Sequence, residues 1–217
     1  MALSAPSFPP FPAEPSPDPR ARILIEARRL LLVHGYTRFT MADLATELGM
    51  SKKTLYLYFR SKHAIVGAVI EDMAAEIRRD AEAVLRDRRL NLAEKLRGFL
   101  GGMMERFAEL NPAKLRDLQR FAPDLHRRIE EMRNRNIPYI FGRFIEEGQA
   151  SGAVRDDINA AFAVEFYLHA VQNLMQPDAQ RRLHLTPPEV LQSALDLFFR
   201  GLLTSTGRKD HEKLFVR

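Results

Sequence analysis

Residues 37–62 constrain the fold of this chain more than any other segment. Thr40 is placed to cap a helix over Met41–Leu48, because its hydroxyl can accept a hydrogen bond from an unpaired backbone N–H. The apolar residues of that helix recur at the spacing of one helical face: Met41, Leu44, Ala45 and Leu48. Gly49 follows and can adopt the left-handed conformation that ends helices. The segment therefore begins with a short helix that ends in a tight turn.

A second short helix is predicted directly after this turn. Ser51 is its N-cap, and the helix covers about Lys52–Phe59. Leu55 and Phe59 are one turn apart and are predicted to point into the core. Polar and aromatic residues remain for the outer face and the flanks: Lys52, Lys53, Thr54, Tyr56 and Tyr58. Two helices joined by a short turn form a helix-turn-helix, whose second helix enters the major groove of DNA.

Positive charge is concentrated on the same part of the chain. The net charge is +5 at pH 7, and residues 20–63 hold nine Lys and Arg against three Asp and Glu. Such an excess is the electrostatic footprint of a nucleic-acid-binding surface, although a solvated basic face would give the same count. The chain has no cysteine, which excludes disulfides, thiolate metal sites and thiol-based redox sensing.

The stretch Ser51-Lys-Lys-Thr-Leu-Tyr-Leu-Tyr-Phe-Arg-Ser-Lys62 resembles the signature of the tetracycline-repressor (TetR) family. Phe39-Thr40 and Leu44-Ala-x-x-Leu-Gly-Met50 fit the same signature, which spans Arg20 to Ile65. The resemblance implies an all-α protein with an N-terminal three-helix DNA-binding domain. A larger C-terminal helical domain would bind a small molecule and form a dimer.

The resemblance also implies roles for individual side chains. Three would face bases: Lys52, Lys53 and Tyr56. Four would hold phosphates: Thr40, Thr54, Tyr58 and Lys62. Lysine can donate to guanine O6 and N7 and a tyrosine ring can contact a thymine methyl, whereas hydroxyls suit phosphate oxygens. Two alternatives stay open: Lys53 could bind phosphate only, and Tyr56 and Tyr58 could pack beneath neighbouring helices. Leu57 could make an apolar base contact.

Helical patterns cover most of the remaining chain. Helices are predicted over residues 19–34, 61–85, 92–110, 112–121, 124–149, 158–175 and 188–204, with a loop at 177–187. Pro138 predicts a kink or break near Asn134–Ile137, because proline removes a helical hydrogen bond. Seven prolines in the first nineteen residues predict a disordered tail. The predicted division is a tail at 1–19, a DNA-binding domain at 20–65, an effector-binding and dimerisation domain at 66–205, and a C-terminal tail at 206–217.

Effector and dimer sites follow from the family resemblance. The candidate pocket residues are Phe99, Met103, Phe107, Phe121, Met132, Tyr139, Phe144, Phe166 and His169. Aromatic and methionine side chains make adaptable apolar pockets, but each of these residues could equally be ordinary core. In the family, two C-terminal helices from each subunit form a four-helix interface, which here would contain Phe162, Phe166, Leu191, Leu195, Phe198 and Leu202. An intramolecular core explains that pattern equally well.

Other function classes have little support in the sequence. The chain has no Gly-rich phosphate loop, no His-Glu-x-x-His and no nucleophile elbow, and its histidines lack metal-ligand spacing. No apolar run reaches the roughly 18 residues of a membrane span. We therefore expect no enzyme activity, metal, cofactor or membrane partner. The expectation is a cytoplasmic, homodimeric regulator of double-stranded DNA, a repressor released from a palindromic operator by a small hydrophobic effector. The alternative is an architectural DNA-binding protein without a working pocket.

Overall fold

The computed structural model describes the backbone of residues 18–109 and 112–215, without the side chains of residues 104, 107–109, 112, 177 and 211–215. These described residues form helices and no β-strand, which confirms the predicted all-α class. The helices are α1 (Pro19–Arg38), α2 (Met41–Glu47), α3 (Lys52–Tyr58), α4 (Lys62–Arg86), α5 (Leu92–Glu109), α6 (Pro112–Phe121), α7 (Pro123–Ala150), α8 (Ala160–Leu174), α9 (Pro177–Leu183), α10 (Pro187–Leu202) and α11 (Ser205–Phe215). Within the described part of the chain, none of them has both the length and the apolar character that crossing a membrane requires.

The chain divides by its internal contacts into two compact units. An N-terminal unit comprises Met1–Glu76 and Ala108–Arg133, and a C-terminal unit comprises Ile77–Phe107 and Asn134–Arg217. The N-terminal unit is thus larger than the predicted DNA-binding domain at 20–65, because it also contains α6 and the first part of α7. The predicted tail at 1–19 lies almost wholly outside the described residues; Asp18 caps α1, and Pro19 occupies its first turn.

The core of the N-terminal unit joins the short helices to α1, α4 and α6. Its fully buried side chains include Ile23, Phe39, Leu44, Leu55 and Ile65, one or more from each of the first four helices and their connections. Leu118 of α6 belongs to the same apolar cluster. This burial fixes α2 and α3 on a rigid support, since removing apolar surface from water is the main stabilising term in folding.

Helix α6 also supplies polar groups to the end of α1. Gly35 interrupts the helical conformation of α1 with φ 81°, near the predicted end of that helix. Lys114 Nζ donates to the carbonyl oxygens of Leu32, at 2.8 Å, and Val33. These carbonyls lie in the last turn before Gly35, where helical partners are missing. The lysine therefore completes the hydrogen bonding of an interrupted helix.

Aromatic side chains from three helices form the centre of the C-terminal unit. The ring of Tyr167 on α8 lies with its centroid 5.1 Å from that of Phe141 on α7 and 4.8 Å from that of Phe198 on α10. Phe199 packs against Phe198 at 5.4 Å. Burial raises the pKa of the Tyr167 hydroxyl. The aromatic contacts therefore join α7, α8 and α10.

Of the two outcomes predicted near Asn134–Ile137, a kink or a break, the break is wrong. Helix α7 runs without interruption from Pro123 to Ala150, with Pro138 inside it. The proline removes one backbone donor, but Ile140, Phe141 and Phe144 directly after it are buried in the core. Packing of that apolar face outweighs the loss of one hydrogen bond, since most helical stability comes from tertiary contacts.

Two segments predicted to lack structure are helical. Residues 177–183, within the predicted loop at 177–187, form α9, which has proline in its first turn and ends at His184 with φ 54°. Residues 205–215, all but the first within the predicted C-terminal tail at 206–217, form α11. Thr204 Oγ1 accepts a hydrogen bond from Gly207 N at 3.2 Å at the start of α11. A side chain at Gly207 would collide with the carbonyl of Ala153, so glycine permits this close approach.

Candidate nucleic-acid interface

A reciprocal cap begins α2. Asp43 N donates to Thr40 Oγ1 at 3.2 Å, and Asp43 Oδ2 accepts from Thr40 N at 3.0 Å and from Thr40 Oγ1 at 2.7 Å. This capping box satisfies two backbone donors that a helix start leaves unpaired. Thr40 caps α2 as the sequence predicts, and its side chain stays exposed.

The turn between α2 and α3 is built on Gly49. Its φ of 62° lies in the left-handed region, as predicted, and no atom lies within 4 Å of the position a Cβ would take. Gly49 N donates to the Thr46 carbonyl at 3.0 Å and Met50 N to the Ala45 carbonyl at 2.9 Å. These two bonds close the end of α2 and reverse the chain toward α3.

Helix α3 is fixed by a cap and by two buried residues. Ser51 Oγ accepts from Thr54 N at 3.0 Å and shares a hydrogen bond of 2.8 Å with Thr54 Oγ1. Leu55 and Phe59 are buried, as predicted, and the Arg20 guanidinium lies 5.2 Å from the centroid of the Phe59 ring. The buried side of α3 is thereby set, and its opposite side faces solvent.

The solvent side of α3 carries the predicted DNA-contacting residues. Lys52 and Lys53 are exposed, and Tyr56, Leu57 and Tyr58 are exposed large side chains. Tyr56 and Tyr58 are therefore not packed away beneath neighbouring helices, which was the alternative interpretation of both. Two ammonium groups, two phenol hydroxyls and an apolar tip are presented together on one short helix.

Nearby acids do not neutralise this face. Glu26 and Glu47 both pair with Arg29 Nη2, at 2.5 Å and 3.0 Å, and Asp43 is engaged in the α2 cap. Within the described residues, Lys52 and Lys53 form no ion pair. Their positive charges are therefore available to an anionic partner, with an attraction that salt would screen.

Lys62 makes contacts that the sequence did not predict. Its Nζ donates to the carbonyl oxygens of Tyr36 at 2.8 Å and Phe39 at 3.0 Å, and lies 4.4 Å from the centroid of the Tyr36 ring. Partial burial lowers the pKa of the Lys62 ammonium. Lys62 thus ties the start of α4 to the segment that precedes α2, whatever else it contacts. Both acceptors are backbone carbonyls, which every residue carries, so the sequence gives no signal for such a contact.

The segment that contains these residues matches a known protein family. Residues 23–69 match the bacterial regulatory proteins of the tetR family. The chain is 30% identical over 181 residues to YvaF of Bacillus subtilis, an uncharacterized HTH-type transcriptional regulator, covering 83% of this chain and 94% of that protein.

The chain belongs to the TetR family.

One further relative and one solved structure extend this comparison. The transcriptional repressor DhaR of Mycobacterium sp. (strain GP1) is 23% identical over 205 residues, covering 89% of this chain and 96% of DhaR. A solved complex of SmeT with triclosan shares the fold with a TM-score of 0.61 at 16% identity, covering 86% of this chain and 92% of SmeT. The protein is therefore a DNA-binding transcriptional regulator of the TetR family.

The nine candidate effector-pocket residues of this TetR-family chain are distributed over both units. Met132 is buried in the core of the N-terminal unit, and Phe121 is exposed in that unit. Phe166 and His169 on α8 are exposed. The side chain of Phe107 lies outside the described residues. Hydrophobic periodicity predicts whether a side chain lies on the inner or the outer side of its helix. It does not predict which of the two units contains the residue.

Four of the nine remain together in the C-terminal unit. Phe99 and Phe144 are buried with ring centroids 5.5 Å apart, and Met103 and Tyr139 pack at the edge of the same cluster. Tyr139 also lines an open groove of about 580 Å³ with charged side chains of α4 and α7: Glu82, Arg86, Arg143, Glu146 and Glu147. A smaller cavity of about 210 Å³ lies between the starts of α5 and α11, where sequence reasoning placed no candidate.

The predicted dimer residues divide into an exposed and a buried set. Phe162 and Phe166 of α8 are exposed, with ring centroids 6.4 Å apart. The buried set belongs to the core of the C-terminal unit, where the intramolecular interpretation holds: Leu195, Phe198 and Leu202, with Leu191 half-buried beside them. Leu197 of α10 is 75% exposed and was not among the predicted dimer residues. Ser193, Leu197 and Gly201 recur every four residues on the side of α10 opposite its buried residues, and this spacing is visible in the sequence.

Proposed function

We propose that the protein is a homodimeric repressor that binds a palindromic operator through α3 and is released by a small hydrophobic effector. The observation that carries the proposal is the unneutralised cationic and aromatic face of α3, opposite the buried Leu55 and Phe59. A helix of this composition, held at the end of a capped turn, matches the recognition helix of helix-turn-helix proteins. The relative DhaR is a transcriptional repressor, which supports the same direction of regulation here.

Base reading is assigned to Lys52, Lys53 and Tyr56. Removing a base-reading side chain relaxes preference at one position of each half-site, whereas removing a phosphate contact weakens all sequences about equally. Lys53→Ala is therefore expected to relax one position. An unchanged preference would reassign Lys53 to phosphate, the alternative that the sequence left open.

Phosphate contact is assigned to four groups around the motif: Thr40, Thr54, Tyr58 and Lys62. The exposed hydroxyl of Tyr58 suits this role most directly. Thr40 and Thr54 already use their hydroxyls within caps, and a hydroxyl retains acceptor and donor capacity for a second partner. Lys62 donates two of its three N–H groups to carbonyls, which leaves one for a phosphate oxygen.

A second copy of the chain is the proposed partner of the exposed face on α8 and α10. One helix-turn-helix contacts few base pairs, and dimers obtain specificity from two half-sites about one helical turn apart. Phe166→Asp and Leu197→Asp are expected to produce monomers in sedimentation experiments and to lose operator affinity. Leu183→Asp on α9 is the matched control, since Leu183 is an exposed apolar residue outside this face.

The effector site is assigned to the C-terminal unit around Phe99 and Phe144. Their rings fill this region, so an apolar effector would enter only if the core opens and rearranges. That coupling gives the effector different affinities for two conformations, which release from DNA requires. The solved complex of SmeT with triclosan supports an apolar ligand for a protein of this fold.

Transcription in vitro tests the direction of regulation. The template carries a promoter that overlaps a duplex selected by the protein from random DNA. A fall in transcript on adding protein supports repression, and recovery with an apolar compound supports effector release. A rise in transcript would make the protein an activator.

We infer that the protein has no enzyme activity. We also propose that it is located in the cytoplasm.

A further inference from the structure

Leu57 occupies an unusual position on α3. It is 79% exposed, more than any other large apolar side chain in the described residues. It lies two residues after Leu55 and two before Phe59, both buried. Each residue turns an α-helix by about 100°, so Leu57 points nearly opposite the buried side. It therefore stands near the centre of the face that α3 presents outward.

The surroundings of Leu57 on this face are polar. Lys53 lies one turn earlier on the same side and is exposed, and Tyr56 and Tyr58 flank it with exposed rings. Packing within the N-terminal unit does not account for an apolar side chain at this point. Contact with a partner would remove its surface from water, which is favourable.

The major groove offers one apolar group on its floor, the C5-methyl of thymine. The other groups on the base edges there are hydrogen-bond donors and acceptors, which a leucine cannot satisfy. We propose that Leu57 is a specificity-determining residue that selects thymine at one position of each half-site by packing against this methyl group. The inference rests on the proposed placing of α3 in the major groove.

The expected effect follows from the size of the group. Burying one methylene-sized apolar group contributes about 0.8 kcal/mol, which corresponds to about fourfold in Kd. Replacing the selected thymine by uracil removes only the methyl group and keeps every hydrogen-bonding atom. The substitution is therefore expected to weaken wild-type binding about fourfold for each half-site.

The experiment combines this change in the DNA with a change in the protein. Duplexes selected by the wild-type protein are made with uracil at each thymine in turn. The Kd of each duplex is measured for the wild type, Leu57→Ala and Lys53→Ala. Leu57 is mostly exposed, so its truncation is expected to leave the fold intact, which circular dichroism checks.

We expect one thymine per half-site whose replacement weakens DNA binding by the wild type but not by Leu57→Ala. Lys53→Ala should retain that penalty while losing affinity elsewhere. Equal penalties in the wild type and Leu57→Ala would overturn the role of Leu57. So would the absence of any thymine penalty, or an equal loss by Leu57→Ala on all duplexes, which indicates contact with the DNA backbone. Unchanged Kd values for both variants would overturn the placing of α3 itself.

Discussion

The carboxylate of Asp117 on α6 holds Thr37, a residue 80 positions earlier in the chain. Asp117 Oδ2 accepts from Thr37 N at 2.8 Å, and Oδ1 accepts from Thr37 Oγ1 at 2.9 Å. Thr37 lies three residues before Thr40, which caps α2. The two hydrogen bonds therefore fix the segment that enters the helix-turn-helix.

Removing this carboxylate should loosen that segment. Asp117→Ala is expected to lower the free energy of unfolding by about 1 kcal/mol, because two hydrogen bonds to a charged group are lost while water can replace part of them. Urea denaturation measures the change. Gln119→Ala on the same helix is the control and should change stability by less than about 0.5 kcal/mol, because Gln119 is exposed. Equal effects of the two variants would contradict the role of Asp117.

Lys62 is predicted to stabilise the fold as well as the complex with DNA. Lys62→Ala leaves the carbonyls of Tyr36 and Phe39 without their donor and is expected to cost about 1–3 kcal/mol of unfolding free energy. Lys53→Ala, which removes an exposed lysine, should leave stability nearly unchanged. Chemical denaturation of both variants without DNA makes the comparison. A fully stable Lys62→Ala would show that these hydrogen bonds contribute nothing to the fold.

Two glycines with open space around them should respond to alanine in opposite directions. Gly49→Ala is expected to destabilise by about 1–2 kcal/mol, because its φ of 62° is unfavourable for a residue with a Cβ. Gly101→Ala within α5 should stabilise by up to about 1 kcal/mol, because alanine is the better helix former. Neither new methyl group would meet an atom within 4 Å, so sterics do not confuse the comparison. Thermal unfolding of both variants decides it, and the same sign of change for both would refute the backbone argument.

Asp87, after the end of α4, should titrate at unusually low pH. Hydrogen bonds from the Arg89 side chain and backbone lower the pKa of the Asp87 carboxyl to about 2. Because this pKa is depressed in the folded state, the associated stabilisation is present above about pH 4 and is lost as pH falls toward 2. An NMR titration of the carboxyl carbon measures the pKa, and Arg89→Ala should return it toward the ordinary value of 3.8. A pKa that does not respond to Arg89→Ala would assign the shift to another cause.

Local signals explain how much of the helix-turn-helix could be predicted from sequence. Thr40, Gly49 and Ser51 act within a few residues of themselves, through caps and a left-handed turn, so their roles follow from the printed order of residues. The boundaries of α2 and α3 were predicted to within one residue for the same reason.

Long-range contacts explain what the sequence did not predict. The partners of Lys62 and Asp117 lie 23 to 26 and 80 residues away, so no spacing rule reveals them. Leu195 and Leu197 are both leucines on α10, yet only the second is exposed, because neighbouring helices decide which side is covered. The distribution of the candidate pocket residues over both units was not predicted, because periodicity does not encode which unit a residue joins.

In vitro selection from random duplex DNA, with purified protein at near-physiological salt, tests whether the protein is a dimeric, sequence-specific regulator. We expect an inverted repeat whose half-sites lie about one helical turn apart, and loss of that motif when Lys52, Lys53 and Tyr56 are replaced by alanine. Binding that yields no motif and disappears as salt rises would contradict it. The protein would then be an architectural DNA-binding protein that contacts the phosphate backbone alone.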